Sequence, residues 1–364
     1  MSQSNKLILV IGATGVQGRA VIDALLAPGP DGTTSPYSVR ALTRNFDSRS
    51  AKELAAISKV ELFQGSFTDA GAVYRALEGC YGAFVNTDGS TEDEEGEIFA
   101  SLRIFELAKQ TGTLKHFVWS NLDYISKITG YNPKYKVEHY DSKGRVLEFI
   151  KGQPSEISGM VWSSLTTGPY MEMLSSPVFG PLHDPKTDTY IFAAPIGQGH
   201  VPMISLKDLG YFARYIFDHR EVFSARDLEV TSDLVAWDKL VETFIKFTGK
   251  RAKFVDIPIE IWLQLLKNTD RPRANKFYDS GSSGHTTWGE NFTKWWNIYH
   301  DDIIKRDLEA IKKIHPALRS VEAWMVETNY DASYKVLMKN NEEGKGGTFN
   351  PDAVPGVLVQ LRKL

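Results

Sequence analysis

The chain has 364 residues, 42% of them hydrophobic and 24% charged, with a formal net charge of −3. That length suits two or three domains, or one α/β domain with an appendage, and the composition is that of an ordinary globular protein. The near-balanced charge offers nothing for nucleic acid or an anionic membrane to grip, and the single cysteine, Cys80, excludes an intrachain disulfide and a cysteine zinc site.

Residues 6–11 (KLILVI) form a near-continuous apolar run ending at a glycine, the pattern of a strand buried on both faces. Residues 16–27 follow with small apolar residues at helical spacing, stopped by Pro28-Gly29. Further strands are expected at 38–43, 60–64, 83–86, 116–120 and 160–165, with helices between them at about 49–58, 70–78, 95–111 and 135–151. Strands alternating with helices of that length predict βαβ units, a doubly wound parallel sheet and a Rossmann-type α/β fold.

After 165 the rhythm breaks. Residues 168–200, rich in proline and glycine, read as loops; 206–219 reads as a helix and 227–231 as a short strand. Beyond 235 the pattern is mainly helical, with a strand near 254–257. The expected domains are therefore a dinucleotide-binding domain over 1–165, with 206–232 returning to it, and a smaller, mainly helical domain over 166–338. That second domain is expected over the sheet's C-terminal edge. A polar tail covers 339–364, whose end at 357–361 is compatible with a docked strand. MSQSNK lacks the apolar stretch of a secretory signal, and no run approaches the roughly 20 apolar residues that cross a bilayer. A cytoplasmic protein is the expectation, nuclear in the case of a regulator.

Gly12-Ala13-Thr14-Gly15-Val16-Gln17-Gly18 lies between the first strand and the first helix. Glycines there permit a tight turn and close approach of backbone N–H groups to a pyrophosphate, and the helix N-terminus adds unsatisfied donors. The spacing is GxxGxxG, not the generic GxGxxG. At the end of the second strand an acidic residue would select a free ribose 2′-hydroxyl. This chain has Ala41-Leu42-Thr43-Arg44-Asn45, with no acid before Asp47, and a guanidinium can grip a 2′-phosphate. NADP(H) is the expected cofactor.

From these motifs, with VRALTRN, HFVWSNLD, the stretch His139 to Lys143, GPYMEM and GHVPM in that order, the chain resembles the NmrA-like family, an atypical branch of the short-chain dehydrogenases. The resemblance implies a dinucleotide-binding domain with a smaller, partly helical C-terminal domain. It implies that Gly12, Ala13, Thr14, Gly15, Val16 and Gln17 wrap the pyrophosphate and that Arg44 holds the 2′-phosphate. Ser66 and Phe67 would flank adenine, and Asn86 and Thr87 would line the ribose and nicotinamide. Lys143 would bind the nicotinamide ribose, and Tyr170, Met171 and Glu172 would close that end. Ser48 stands where members often carry a second basic residue, with Arg49 as the available substitute.

Ordinary short-chain dehydrogenases carry a Tyr-x-x-x-Lys pair on one helical face, where lysine lowers the tyrosine pKa for proton transfer. No tyrosine in this chain has a lysine four residues on; the matching pair is His139-x-x-x-Lys143. Histidine can act as a general acid near neutral pH. Lys143, His139 and Ser120, at the superfamily's serine position, are the catalytic candidates, against a lysine that only holds ribose beside a packed histidine. Asp141 and the acidic run Glu92–Glu95 read as a solvated face or a mobile loop. Trp288, Trp295, Trp296 and Tyr299 read as core packing, with a planar substrate as the alternative. The eight histidines show no paired metal-ligand spacing, and no GxSxG elbow exists. Two functions follow. One is an NADP-dependent reductase of a carbonyl, imine or activated double bond in a small molecule. The other is a non-catalytic NADP(H)-sensing regulator that binds a protein partner. A homodimer fits either.

Overall fold

Seven strands running in one direction form the central sheet of the structure, a computed structural model. It describes residues 5–29, 31–176, 178–278, 280, 284–337 and 348–364. Chain order runs β1 (Lys6–Ile11), α1 (Val16–Leu26), β2 (Tyr37–Thr43), α2 (Arg49–Ala55), β3 (Val60–Gln64), α3 (Ala70–Leu77), β4 (Gly82–Val85), α4 (Glu94–Gln110) and β5 (His116–Asn121). After α5 (Ile125–Ile128) come α6 (Glu138–Lys151) and β6 (Val161–Thr166). The sheet order is β10-β6-β5-β4-β1-β2-β3, with β10 (Arg226–Glu229) on the edge beyond β6, and every pairing is parallel. This is the doubly wound α/β architecture that the alternating pattern predicts.

The chain divides into two units. The first takes Met1–Tyr124, His139–Thr167 and Leu206–Glu229; the second takes Ile125–Glu138, Gly168–Ser205 and Val230–Leu364. The division is discontinuous; the sequence reading expected 206–232 back in the first domain but drew no excursion at 125–138. Loss of βαβ rhythm marks a unit's end, but it cannot reveal the short excursion at 125–138.

In the first unit, helices cover both sheet faces. On one, Val73, Ile104, Phe105, Val146 and Ile150 from α3, α4 and α6 pack on Leu9, Ile11, Phe117 and Trp119. Phe105 meets Phe117 edge-on at 5.0 Å and Phe149 at 6.2 Å. On the other, α1 packs against α7 (Leu206–Asp218) so tightly that a Cβ on Gly210 would stand 2.5 Å from the Ala20 carbonyl. Central strands are apolar on both faces because neither sees water.

The second unit holds what the proline- and glycine-rich stretch concealed. β7 (Leu182–Asp184) pairs antiparallel with β8 (Thr189–Ala194), and β12 (Ala252–Asp256) joins β8 in parallel. β9 (Val201–Met203) pairs with β11 (Asp233–Val235). Around them lie α8 (Trp237–Thr248), α9 (Ile259–Leu263), α10 (Trp288–His300), α11 (Leu308–Ile314) and α12 (Val321–Thr328). Trp295 stacks on Phe179 with centroids 5.5 Å apart, while Trp237 and Trp296 meet Phe179 edge-on. With Trp295, Trp296 and Tyr299 each buried, this face of α10 is core. The C-terminal segment differs from the expected tail or strand. Val354–Leu361 is a helix that buries Val357, Leu358 and Leu361, and Arg362 forks onto Asp184 at 2.9 and 2.6 Å. Residues 338–347 of that segment lie outside the described residues.

Candidate functional site

Strand order reverses at β1, which lies between β2 and β4. A crevice outside the carboxyl ends of β1 and β4 is where such sheets take ligands. The glycine loop leaves β1 at that point, and Asn86 and Thr87 leave β4 beside it. Gly12 has φ +81°, and a Cβ on it would lie 2.5 Å from the Asn86 carbonyl oxygen. A Cβ on Gly18 would run into the Gly12 carbonyl. Gly15 differs, because the nearest atom to its Cβ position is Gly12 O at 3.4 Å. Gly15 also serves as N-cap of α1, where no side chain caps the helix. An N-terminus without a side-chain cap is the end of a helix that attracts an anion. Ala13 and Gln17 are buried, Thr14 and Val16 half-buried. The Gln17 Nε2 donates to Ser120 Oγ at 2.5 Å, so the Ser120 hydroxyl, itself buried at the end of β5, is tied to the loop.

Arg44 follows β2, is exposed, and makes no ion pair among the described residues. Its neighbours are committed elsewhere. Ser48 caps α2 by accepting from the Ala51 N–H, and Arg49 lies 3.6 Å from Glu53. After β3, Ser66 and Thr68 share a hydroxyl hydrogen bond of 2.8 Å. Phe67 lines a cavity of about 290 Å³ between α3 and α4, whose walls include Val73, Phe99, Ala100 and Arg103.

The third part is polar and buried. Lys143 Nζ donates to Thr87 O at 2.8 Å and Thr87 Oγ1 at 3.1 Å, and pairs with Glu97 Oε1 at 3.0 Å. Thr87 Oγ1 donates to Glu97 Oε1 at 2.7 Å, and the Ser142 hydroxyl donates to Glu97 Oε2. The Lys143 ammonium also stands 5.3 Å from the Trp119 ring centroid. One turn earlier on α6, His139 is half-buried with its ring edge-on to Tyr140 at 5.0 Å. Glu94 pairs with Arg145 at 3.4 Å.

Glu94 and Asp141 correct the reading of these acids as a solvated face or mobile loop, Asp141 being wholly buried on α6. Glu95 is exposed, but Glu94 is mostly buried and Glu97 wholly so. Sequence reasoning missed Glu97, although its signal is present. Residues 94, 97, 101, 104 and 108 form one helical stripe that continues as Ser101, Ile104 and Ala108, all buried, so a carboxylate at 97 lies on the inward face.

In the second unit, Tyr170 bridges to Ile204, Met171 is fully buried with its N–H donating to Ile204 O at 3.0 Å, and Glu172 accepts from Trp324 Nε1 at 3.3 Å. Among the described residues no group of three His, Cys, Asp or Glu side chains is placed to hold a metal, and no helix is long and apolar enough to cross a membrane.

Residues 4–285 match the NmrA-like family. An NmrA-like family domain-containing oxidoreductase, himF of Aspergillus japonicus, is 27% identical over 70% of this chain and 78% of its own. Among solved structures, the negative transcriptional regulator NmrA in complex with NADP superposes with TM-score 0.61. It is 20% identical, over 88% of this chain and 94% of that one. The NADPH complex of the quinone oxidoreductase QOR2 from Escherichia coli gives TM-score 0.64 at 16% identity, over 89% of this chain and all of that one. At such identities the structures establish the fold.

Proposed function

The chain belongs to the NmrA-like family, and from that premise we propose that it is an NADP(H)-dependent oxidoreductase reducing a carbonyl, imine or activated double bond of a small organic molecule. The observation that carries the reading is the cradle at the switch point. It joins a helix N-terminus without a side-chain cap, a glycine with room above it at 15, and an exposed arginine after β2 that makes no ion pair among the described residues. Backbone donors of residues 12–17 suit a pyrophosphate, and Arg44 suits a 2′-phosphate. The cavity beside Phe67 suits adenine. The oxidoreductase name of himF and the NADP and NADPH held by NmrA and QOR2 support the same direction.

When bound, NADPH supplies a hydride equivalent. This chain's residues would then hold the nicotinamide ribose and deliver a proton. Lys143, fixed against Thr87, holds its positive charge beside the end of β4. His139, half-buried and one turn away, is the proton donor, since imidazole exchanges a proton near neutrality. Ser120 acts through its bond to Gln17, orienting the loop. The test is consumption of NADPH absorbance against ketones, quinones, imines and enones. His139→Ala should slow turnover by about 10²–10⁴-fold with little change in NADPH affinity, and Lys143→Ala should damage both.

One observation favours a second reading, a non-catalytic NADP(H)-sensing regulator. All the donors of Lys143 already have acceptors inside the protein. Under that reading no substrate is turned over, His139→Ala is silent, and NADPH changes the protease sensitivity of residues 88–96, because a regulator needs two states that its ligand distinguishes.

A further inference from the structure

An ammonium carries three N–H donors. On Lys143 they are matched by Thr87 O at 2.8 Å, Thr87 Oγ1 at 3.1 Å and Glu97 Oε1 at 3.0 Å. The other carboxylate oxygen of Glu97 is taken by Ser142. The loop after β4 closes over it, since a Cβ on Gly89 would lie 2.7 Å from Glu97 Oε2. The lysine side chain is 8% exposed and that of Glu97 is 0% exposed. Charges withdrawn from water to that extent persist only when paired and hydrogen-bonded.

We propose that Glu97 is the positioning residue of this site: its carboxylate holds the Lys143 ammonium as an ion pair and directs it at Thr87, so that a ribose hydroxyl engages Lys143 by displacing Thr87 rather than by finding a free donor. Among the described residues no other carboxylate pairs with Lys143. On α4 the other buried carboxylate, Glu94, is committed to Arg145. On α6 the charged neighbours are Asp141, which acts on Arg145, and Arg145 itself, with His139 one turn earlier. From β5, Trp119 lies with its ring beside the lysine ammonium and donates its indole N–H to Lys143 O at 3.3 Å, and Tyr124 beyond it lies against Arg145. Glu97→Gln keeps the shape and two hydrogen-bonding positions while deleting the counter-charge. A buried ammonium left without one gives up its proton more readily.

The role rests on the dinucleotide reading only in its second measurement. The first uses no nucleotide: the full-length chain is labelled with acetic anhydride between about pH 7 and pH 10, and the Lys143 peptide is quantified by mass spectrometry. In the parent, Lys143 should stay protected throughout. In Glu97→Gln its labelling should rise by about tenfold or more toward alkaline pH, and Glu97→Asp should retain most of the protection. The second measurement is the NADPH dissociation constant at about pH 7 and pH 9. Glu97→Gln should lose roughly tenfold more affinity across that interval than the parent. The Glu97→Gln, Lys143→Met double variant should bind weakly at both. Labelling of Lys143 in Glu97→Gln that matches the parent at every pH overturns the proposal. So does an affinity loss equal at both pH values, which marks a merely structural role. A parent that binds no NADPH, with the labelling pattern intact, leaves Glu97 its role and removes the dinucleotide reading instead.

Discussion

A methyl group at Gly15 would meet only the Gly12 carbonyl oxygen, at 3.4 Å, whereas one at Gly18 would collide with that same carbonyl. The two positions therefore separate ligand binding from folding. Gly15→Ala should abolish measurable NADPH binding by calorimetry while leaving the circular dichroism spectrum unchanged; Gly18→Ala should lower thermal stability whether or not a nucleotide is present. Arg44 decides the cofactor. Losing a charge-assisted phosphate contact costs about 1.5–3 kcal/mol, roughly ten- to a hundredfold in affinity. Arg44→Ala should show that loss for NADPH and almost none for NADH, and equal losses for both would remove Arg44 from the phosphate site. His116 governs the response to acid. It is wholly buried, with Nε2 2.8 Å from Ser163 Oγ. Because Ser163 donates its own proton to Phe223 O, Nε2 must carry the imidazole proton, and Nδ1 is buried with no partner among the described residues. Burial, with Arg220 and Lys6 adding repulsion, pushes this imidazole down to about 3. An unfolded histidine takes up its proton near pH 6.5. Between those values the unfolded chain binds more protons, so stability falls as pH is lowered, by up to about 1.4 kcal/mol per pH unit. Urea midpoints of His116→Gln should lose that part of the slope below pH 6.5.

At the scale of elements, the βαβ half was open to sequence reading because its strands are buried on both faces and its helices are long enough to show a period. The places of the glycine loop and Arg44 were legible for the same reason, since each lies just after a strand. Glu97 was not. Its neighbours Glu92, Asp93, Glu94 and Glu95 make the segment look solvated, and the inward stripe emerges only once the Asp93 side chain, accepting from Gly96 N–H at 2.9 Å, fixes where α4 begins. β7 and β9, at three residues each, are too short for any periodicity, and Pro202 lies inside one of them. The last helix was open to two readings. Val357 to Leu361 has the β-branched look of a strand, yet Pro355 stands in the first turn of a helix, where its missing N–H costs nothing. Leu361 is fully buried there. Leu361→Ala should therefore cost about 2–5 kcal/mol, read from denaturant unfolding; a loss below about 0.5 kcal/mol would mean the segment is the loose tail its polar approach resembles.

At the scale of the whole molecule, the first of its two units, the Rossmann-type one, is assembled from three stretches of chain. If NADPH binds as proposed, a concentration near one hundred times its dissociation constant should raise the unfolding free energy by about 2.7 kcal/mol, visible as a shift in melting temperature that Gly15→Ala erases. The same three-part construction has a consequence for how the protein is made. Translation delivers β6 with its outer edge bare and α1 without α7 to lie against. α1 waits for Asp218 and β6 for Glu229 to leave the ribosome, on the order of several seconds later at ordinary elongation rates. An unpaired parallel edge beside apolar helix surface is a template for misassociation during that interval. A gene ending at Thr167, which includes the glycine loop, Arg44, Glu97 and Lys143, should thus yield aggregated protein. Joining 206–229 to it through a short polar linker should recover a soluble product. The nascent chain, not the mature one, is the form of this protein most in need of a chaperone.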